Sequence, residues 1–116
     1  MDIVSVEELE LLTFFEVEPR LTDENIPWPY NNFSYRVEID SSVVEFSIAP
    51  SFKDVEFSVI SNRIASYRFS ALSVNDVRYH RNGDDESLEI LVSDRDRILL
   101  KLRPSIMISQ NVSSET

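Results

Sequence analysis

Few side chains in this 116-residue sequence have the type and spacing that chemistry requires, and nearly all of them are carboxylates. The chain holds a single histidine, His80, and no cysteine. A hydrolase built on His80 needs a nucleophile or an orienting carboxylate delivered from elsewhere in the fold, and no nucleophile-elbow sequence accompanies it. Flanked by Arg78 and Arg81 in an alternating run, His80 reads as an exposed strand position. The lack of cysteine removes thiol nucleophiles, disulfides and Cys-based metal sites together, and one imidazole with scattered acids is a poor zinc set. Asp84-Asp85-Glu86 beside Gly83 invites a calcium reading. A calcium loop, however, alternates its oxygen ligands over roughly twelve residues, whereas these three acids are consecutive at a hairpin tip. The reading is therefore no metal, no cofactor and no catalytic residue. A pair of Asp/Glu residues in a sheet cleft, as in glycoside hydrolysis, is the chemistry left over, and no motif singles out a pair.

Charge is more informative than any motif. Twenty-one acidic residues against eleven basic ones give a net charge of −10. That field repels nucleic acid and anionic membrane surfaces and attracts a basic protein. The acidity is polarised: residues 1–24 carry eight acids (Asp2, Glu7, Glu8, Glu10, Glu16, Glu18, Asp23, Glu24) and one base, Arg20. Glu7, Glu8 and Glu10 are the candidate docking residues of this segment, and Asp84, Asp85 and Glu86 those of the hairpin tip. Pro27-Trp28-Pro29-Tyr30 offers a third candidate surface. A tryptophan between two prolines loses little entropy on becoming an anchor, so Trp28 and Tyr30 are candidate contacts. The competing reading makes Trp28 a plug over an open end of a sheet, its ring N–H bonded to a loop carbonyl.

The elements that must position these residues follow from periodicity. Ser5-Val6-Glu7-Glu8 fits a capping box with Val4 and Leu9 as its staple, predicting a helix over about residues 6–13 with Leu9, Leu12 and Phe15 on one side. A strand through residues 13–18 competes with it. Residues 19–32 hold three of the five prolines and predict an irregular connection. From Phe33 the period becomes two: Phe33, Tyr35, Val37 and Ile39; Val44, Phe46 and Ile48; Val55, Phe57 and Val59; Tyr67, Phe69 and Ala71. Turns fall at Asp40-Ser41-Ser42 and Ser61-Asn62-Arg63. A hairpin turning at Asn82-Gly83 joins the run from Val77 to that of Leu88, Ile90 and Val92. Ile98, Leu100 and Leu102 make a last strong strand, residues 106–108 can resume pairing, and a polar tail begins at about residue 110. The prediction is a single mainly β (α+β) domain, an antiparallel sandwich or curled sheet of about seven strands with a short N-terminal helix. With no basic leader and no apolar run of spanning length, the expected location is the cytoplasm.

Five segments together carry a resemblance. They are Phe14-Phe15-Glu16-Val17-Glu18-Pro19, Ile26-Pro27-Trp28-Pro29-Tyr30-Asn31, Ser47-Ile48-Ala49-Pro50 before Asp54-Val55, Asp76-Val77-Arg78-Tyr79 and Leu102-Arg103-Pro104. They resemble bacterial immunity proteins of contact-dependent and polymorphic toxin systems. The resemblance implies neutralisation of a cognate toxin, commonly a nuclease, by tight binding in the cytoplasm, and transfers no site residue. The physical reading runs parallel: an acidic β domain without reaction machinery can offer carboxylates to a cationic cleft. The alternatives are a structural or adaptor domain, homodimeric through an open sheet edge, and a carboxylate-based hydrolase.

Overall fold

A computed structural model describes residues 3–112. The order is α1 (Glu8–Phe15), β1 (Arg20–Leu21), a 3-10 turn (Trp28–Tyr30), β2 (Phe33–Ile39), β3 (Ser42–Ala49), β4 (Asp54–Ser61), β5 (Ile64–Ala71), β6 (Asp76–Asn82), β7 (Asp85–Leu91), β8 (Asp96–Lys101) and β9 (Met107–Val112). Strands β1–β5 form one sheet and β6–β9 a second; every pairing is antiparallel and joins neighbours in the chain. The predicted mainly β, antiparallel class holds, and of its two open forms, a sandwich or a curled sheet, the strands divide into two sheets. Nine strands among the described residues replace about seven, because β1 and β9 add to the predicted set. Two-residue β1 lies inside the Pro-flanked stretch, where alternation has no length in which to show itself. β9 carries pairing to Val112 opposite Asp96, past the predicted start of the tail; residues 113–116 lie outside the described residues.

The period-two reading of the first sheet is accurate to the residue. Phe33, Tyr35, Val37, Val44, Phe46, Ile48, Val55, Phe57 and Val59 are buried, while Ser34, Arg36, Glu38, Glu45 and Glu56 are exposed. One core cluster joins these side chains to Val77, Leu88, Ile90, Ile98 and Leu100 of the second sheet, to Leu102 just after β8 and to Leu11, Phe14 and Phe15 of α1. The helix unites the two sheets. Phe14 meets Tyr79 of β6 edge to face at 6.3 Å, and Phe15 stacks on Tyr35 of β2 at 4.7 Å and contacts Phe46 of β3 at 5.1 Å.

The helix is shifted from its prediction. It begins at Glu8, and the Glu7 amide donates to the Glu10 carboxylate (2.9 Å). Ser5 is not the cap because it is engaged elsewhere: its amide and hydroxyl donate to Asp76 at 2.6 and 2.5 Å. The staple accordingly fails. Val4 is buried in the core but Leu9 is 69% exposed, and Leu11, Phe14 and Phe15 form the buried face. Helix also wins over the competing strand at Thr13–Phe15. Its C-terminal end has no basic residue of its own; Arg103 supplies one, donating to the carbonyls of Phe14 (2.8 Å) and Phe15 (3.5 Å) and pairing with Glu16 at 3.1 Å. A cation at that end offsets the helix dipole and satisfies carbonyls that lack an intrahelical donor.

The N-terminal segment ties the sheets together. Val4 N–H donates to Pro50 O of the β3–β4 loop, and Val6 N–H to Val77 O of β6. Burial pushes the Asp76 pKa up, but hydrogen bonds from Ser5, the Val77 amide and Arg78 outweigh it and hold the carboxyl below its ordinary value. The β6–β7 turn sits one residue later than Asn82-Gly83 predicts. Asn82 pairs with Asp85, leaving Gly83-Asp84 as the two central residues, with φ +65° at Gly83. A positive φ there is what glycine permits without strain.

Two predictions follow from this packing. Phe15→Ala should lower stability by about 3–5 kcal/mol in urea unfolding, whereas Leu9→Ala should stay within about 0.5 kcal/mol. The depressed Asp76 pKa makes its pairing a source of stability that is complete above the unfolded-state value of about 3.9 and disappears as pH falls through the lower folded-state value. Asp76→Asn should therefore lower the melting temperature at neutral pH and flatten its decline below about pH 4.

Candidate functional site

Antiparallel pairing brings three loops to one end of the first sheet: the segment entering β2, the β3–β4 loop and the exit from β5. Backbone bonds lace them together. Ser51 N–H donates to Pro29 O at 3.1 Å and Val74 N–H to Lys53 O at 2.9 Å. Three large apolar side chains stand out at this end, Tyr30 at 56%, Phe52 at 70% and Leu72 at 77% exposure. Trp28 is half-buried and packs on Phe33, ring centroids 4.5 Å apart. Trp28 thus leans toward the plug while Tyr30 faces solvent, so the two aromatic residues of the Pro-Trp-Pro-Tyr stretch divide between the two readings. No hydrogen bond from the Trp28 ring nitrogen occurs among the described residues, in contrast to the loop-carbonyl bond expected of it.

What holds this loop is Asn31, a residue the sequence did not single out. It is 3% exposed. Its Nδ2 donates to the carbonyls of Asp23 (2.7 Å) and Ile26 (3.1 Å), and its Oδ1 accepts from the amides of Thr22 (3.2 Å) and Asn32 (2.8 Å). All four hydrogen-bonding positions of the side-chain amide are filled. A buried amide that closes a proline-rich loop on itself leaves no periodic trace, so only a tally of loop backbone groups needing partners could have pointed to it.

The acidic candidates are dispersed. Glu7 and Glu8 are exposed at the start of α1, and Glu10 is half-buried beside the Glu7 amide. At the hairpin tip, Asp84 occupies the turn, Asp85 pairs with Lys101 at 2.9 Å, and Glu86 accepts a short hydrogen bond from the Tyr79 hydroxyl. Because successive strand residues face opposite ways, Asp85 and Glu86 do not form one patch. His80 is exposed, as expected, and its Nε2 lies 2.8 Å from Glu89, which also accepts from Arg97 at 3.2 Å. Burial pushes the Glu89 pKa up, and the His80 and Arg97 hydrogen bonds and charges more than reverse this. The second sheet therefore presents an outer face on which acids are ion-paired.

A different gathering lies beside α1. Glu8, Leu12 and Phe15 follow one another at i, i+4 and i+7 along one stripe of the helix. Glu8 and Leu12, with Glu18, Pro19, Leu21 and Tyr35, line a notch of about 110 Å³. It adjoins a broader cleft of about 520 Å³ that shares Glu18 and Tyr35 and adds Arg20, Arg36 and Glu45. Tyr35 is 1% exposed and its hydroxyl is the one buried side-chain polar atom without a hydrogen-bond partner among the described residues. Burial, then the charges of Glu8 and Glu18, raise its pKa well above the ordinary tyrosine value. No group of three or more His, Cys, Asp or Glu side chains suited to a metal ion occurs among the described residues, and no helix there is long and apolar enough to cross a membrane.

As a prediction for the Asn31 lock, Asn31→Ala should cost about 1–3 kcal/mol, since it strands buried backbone groups. With Trp28 the only tryptophan of the chain, its fluorescence should shift to the red in that variant as the ring lifts from Phe33.

No protein-family model matches the chain, and no curated protein does. Among solved structures, the fold is similar to a chain of a contact-dependent growth inhibition toxin–immunity protein complex from Klebsiella pneumoniae 342, with a TM-score of 0.77 and 20% identity over 97% of this chain and 100% of the other.

Proposed function

We propose that the chain is a non-catalytic binding module that neutralises a toxin by forming a complex with it. The observation that carries this reading is the similarity in fold, over 97% of this chain and all of the other, to a component of a toxin–immunity complex. The immunity character of the five sequence segments points the same way. The arrangement of side chains suits a binder: the one histidine is held by Glu89, itself paired with Arg97, and Glu45 of the broader cleft is paired with Arg36 at 3.3 Å. The partner is a basic protein, since the field of a −10 chain accelerates its approach, and a nuclease with a phosphate-binding cleft has that chemistry. The acidic start of α1 steers and the apolar end of the first sheet, around Tyr30, supplies anchoring area. The setting is the bacterial cytoplasm.

A second reading is a homodimeric adaptor joined through the open edge at β5, where Ile64 is 70% exposed. Sedimentation separates the two, because that reading requires a dimer of the isolated chain at micromolar concentration.

The test is protection. Cells making the toxin domain encoded beside this chain should survive when the chain is co-expressed, and killing undiminished by it overturns the proposal. Reversing charge at Glu7, Glu8 and Glu10 together should slow association with that domain at least tenfold at low salt and flatten its salt dependence; unchanged kinetics would remove the steering role from α1.

A further inference from the structure

The notch between α1 and the chain entering β1 combines three features that point to one ligand chemistry. Two carboxylates, Glu8 and Glu18, line it, and neither makes an ion pair among the described residues. Tyr35 lines it too, a residue 1% exposed whose hydroxyl has no partner among the described residues. A hydroxyl buried without a hydrogen bond is a standing cost to the fold, and such groups are rare enough to call for a reason. The remaining walls, Leu12, Pro19 and Leu21, are apolar.

We propose that Glu8, Glu18 and Tyr35 form a receiving site for a primary alkylammonium group, the side-chain terminus of a lysine on a protein partner. The inference rests on the toxin-binding reading and names the contact within it. An ammonium carries three N–H donors about a compact charge, and here two carboxylates and a phenol oxygen, brought from three separate segments, supply the acceptors. A guanidinium needs instead a flat, two-pronged acceptor such as a single carboxylate met side-on. The apolar walls suit the methylene stem, which a lysine buries while its charge finds partners. The volume of about 110 Å³ is room for roughly three to four water-sized groups, the size of such a terminus. Because burial and its two acidic neighbours keep Tyr35 protonated, its neutral, unpartnered oxygen is left to accept one N–H.

The experiment titrates the full chain with Nα-acetyl-lysine methylamide and follows amide chemical shifts, using the Nε-trimethyl form, which keeps the charge and loses every donor, as control. Saturable shifts at residues 8, 18 and 35 are expected, with affinity at least fivefold weaker for the trimethyl form and for the variants Glu18→Gln and Tyr35→Phe. Tyr35→Phe should not lower the melting temperature, since it deletes an unpartnered hydroxyl; should it unfold, exposed Glu18→Gln carries the comparison alone. Equal binding of the trimethyl form reduces the effect to an undirected field and overturns the site. Undiminished binding by folded Tyr35→Phe overturns it too, leaving the phenol to a bound water only. Lysine binding in a chain that gives no protection from the toxin keeps the site and defeats the toxin reading. Protection that survives in both variants, with no lysine binding, does the reverse.

Discussion

The structure depends on two adjacent aromatic residues at the end of one short helix. Phe14 and Phe15 point to different sheets, the first to Tyr79 and the second to Tyr35 and Phe46. Eight residues of helix are too few to be stable alone in water, so α1 exists because its aromatic end is clamped between two apolar faces. Arg103 completes the clamp by donating to the carbonyls of both residues from the far end of the sequence. Every feature beside the helix inherits its position from this contact, including the placing of Glu8 above Tyr35, because Glu8, Leu12 and Phe15 share one stripe.

Much of this was legible in the sequence, and what was not has physical causes. Strands β2 to β4 were readable because one face of each is buried and the other wet, which writes the pleat into alternate residues. The helix boundary was misread because Ser5, an ideal cap on local grounds, is claimed by Asp76, 71 positions away. A local signal lost to a contact that no local window contains. Strand β1 is too short for any period. Of the candidate site, the acidic character of the N-terminal fifth and the aromatic cluster at 28–30 were visible. Asn31, Phe52 and Leu72 were not, since each matters only through loops that the topology of the first sheet brings to one end.

The distribution of ion pairs refines what the net charge suggests. Six of the eleven basic residues, Arg78, Arg81, Arg95, Arg97, Lys101 and Arg103, lie within or just beyond the second sheet. There they hold carboxylates such as Asp76, Asp85 and Glu89. Compensating charge is thus concentrated about that sheet, and apart from Glu16, which Arg103 pairs, the acids of α1 and of the chain that follows it make no ion pair among the described residues. A molecule whose negative charge is locally uncompensated on one flank, with an apolar sheet end elsewhere, separates long-range attraction from short-range grip.

The order of the strands bears on how the chain becomes this shape. Each strand from β2 to β5 and from β7 to β9 pairs with the one made just before it, so either sheet can zip up by successive hairpins, with small loops to close and little entropic delay. The helix cannot join in that sequence. Its partners Tyr79 and Arg103 lie 65 and 89 positions beyond Phe14, and so this helix, made before either sheet, is among the last elements to find its place.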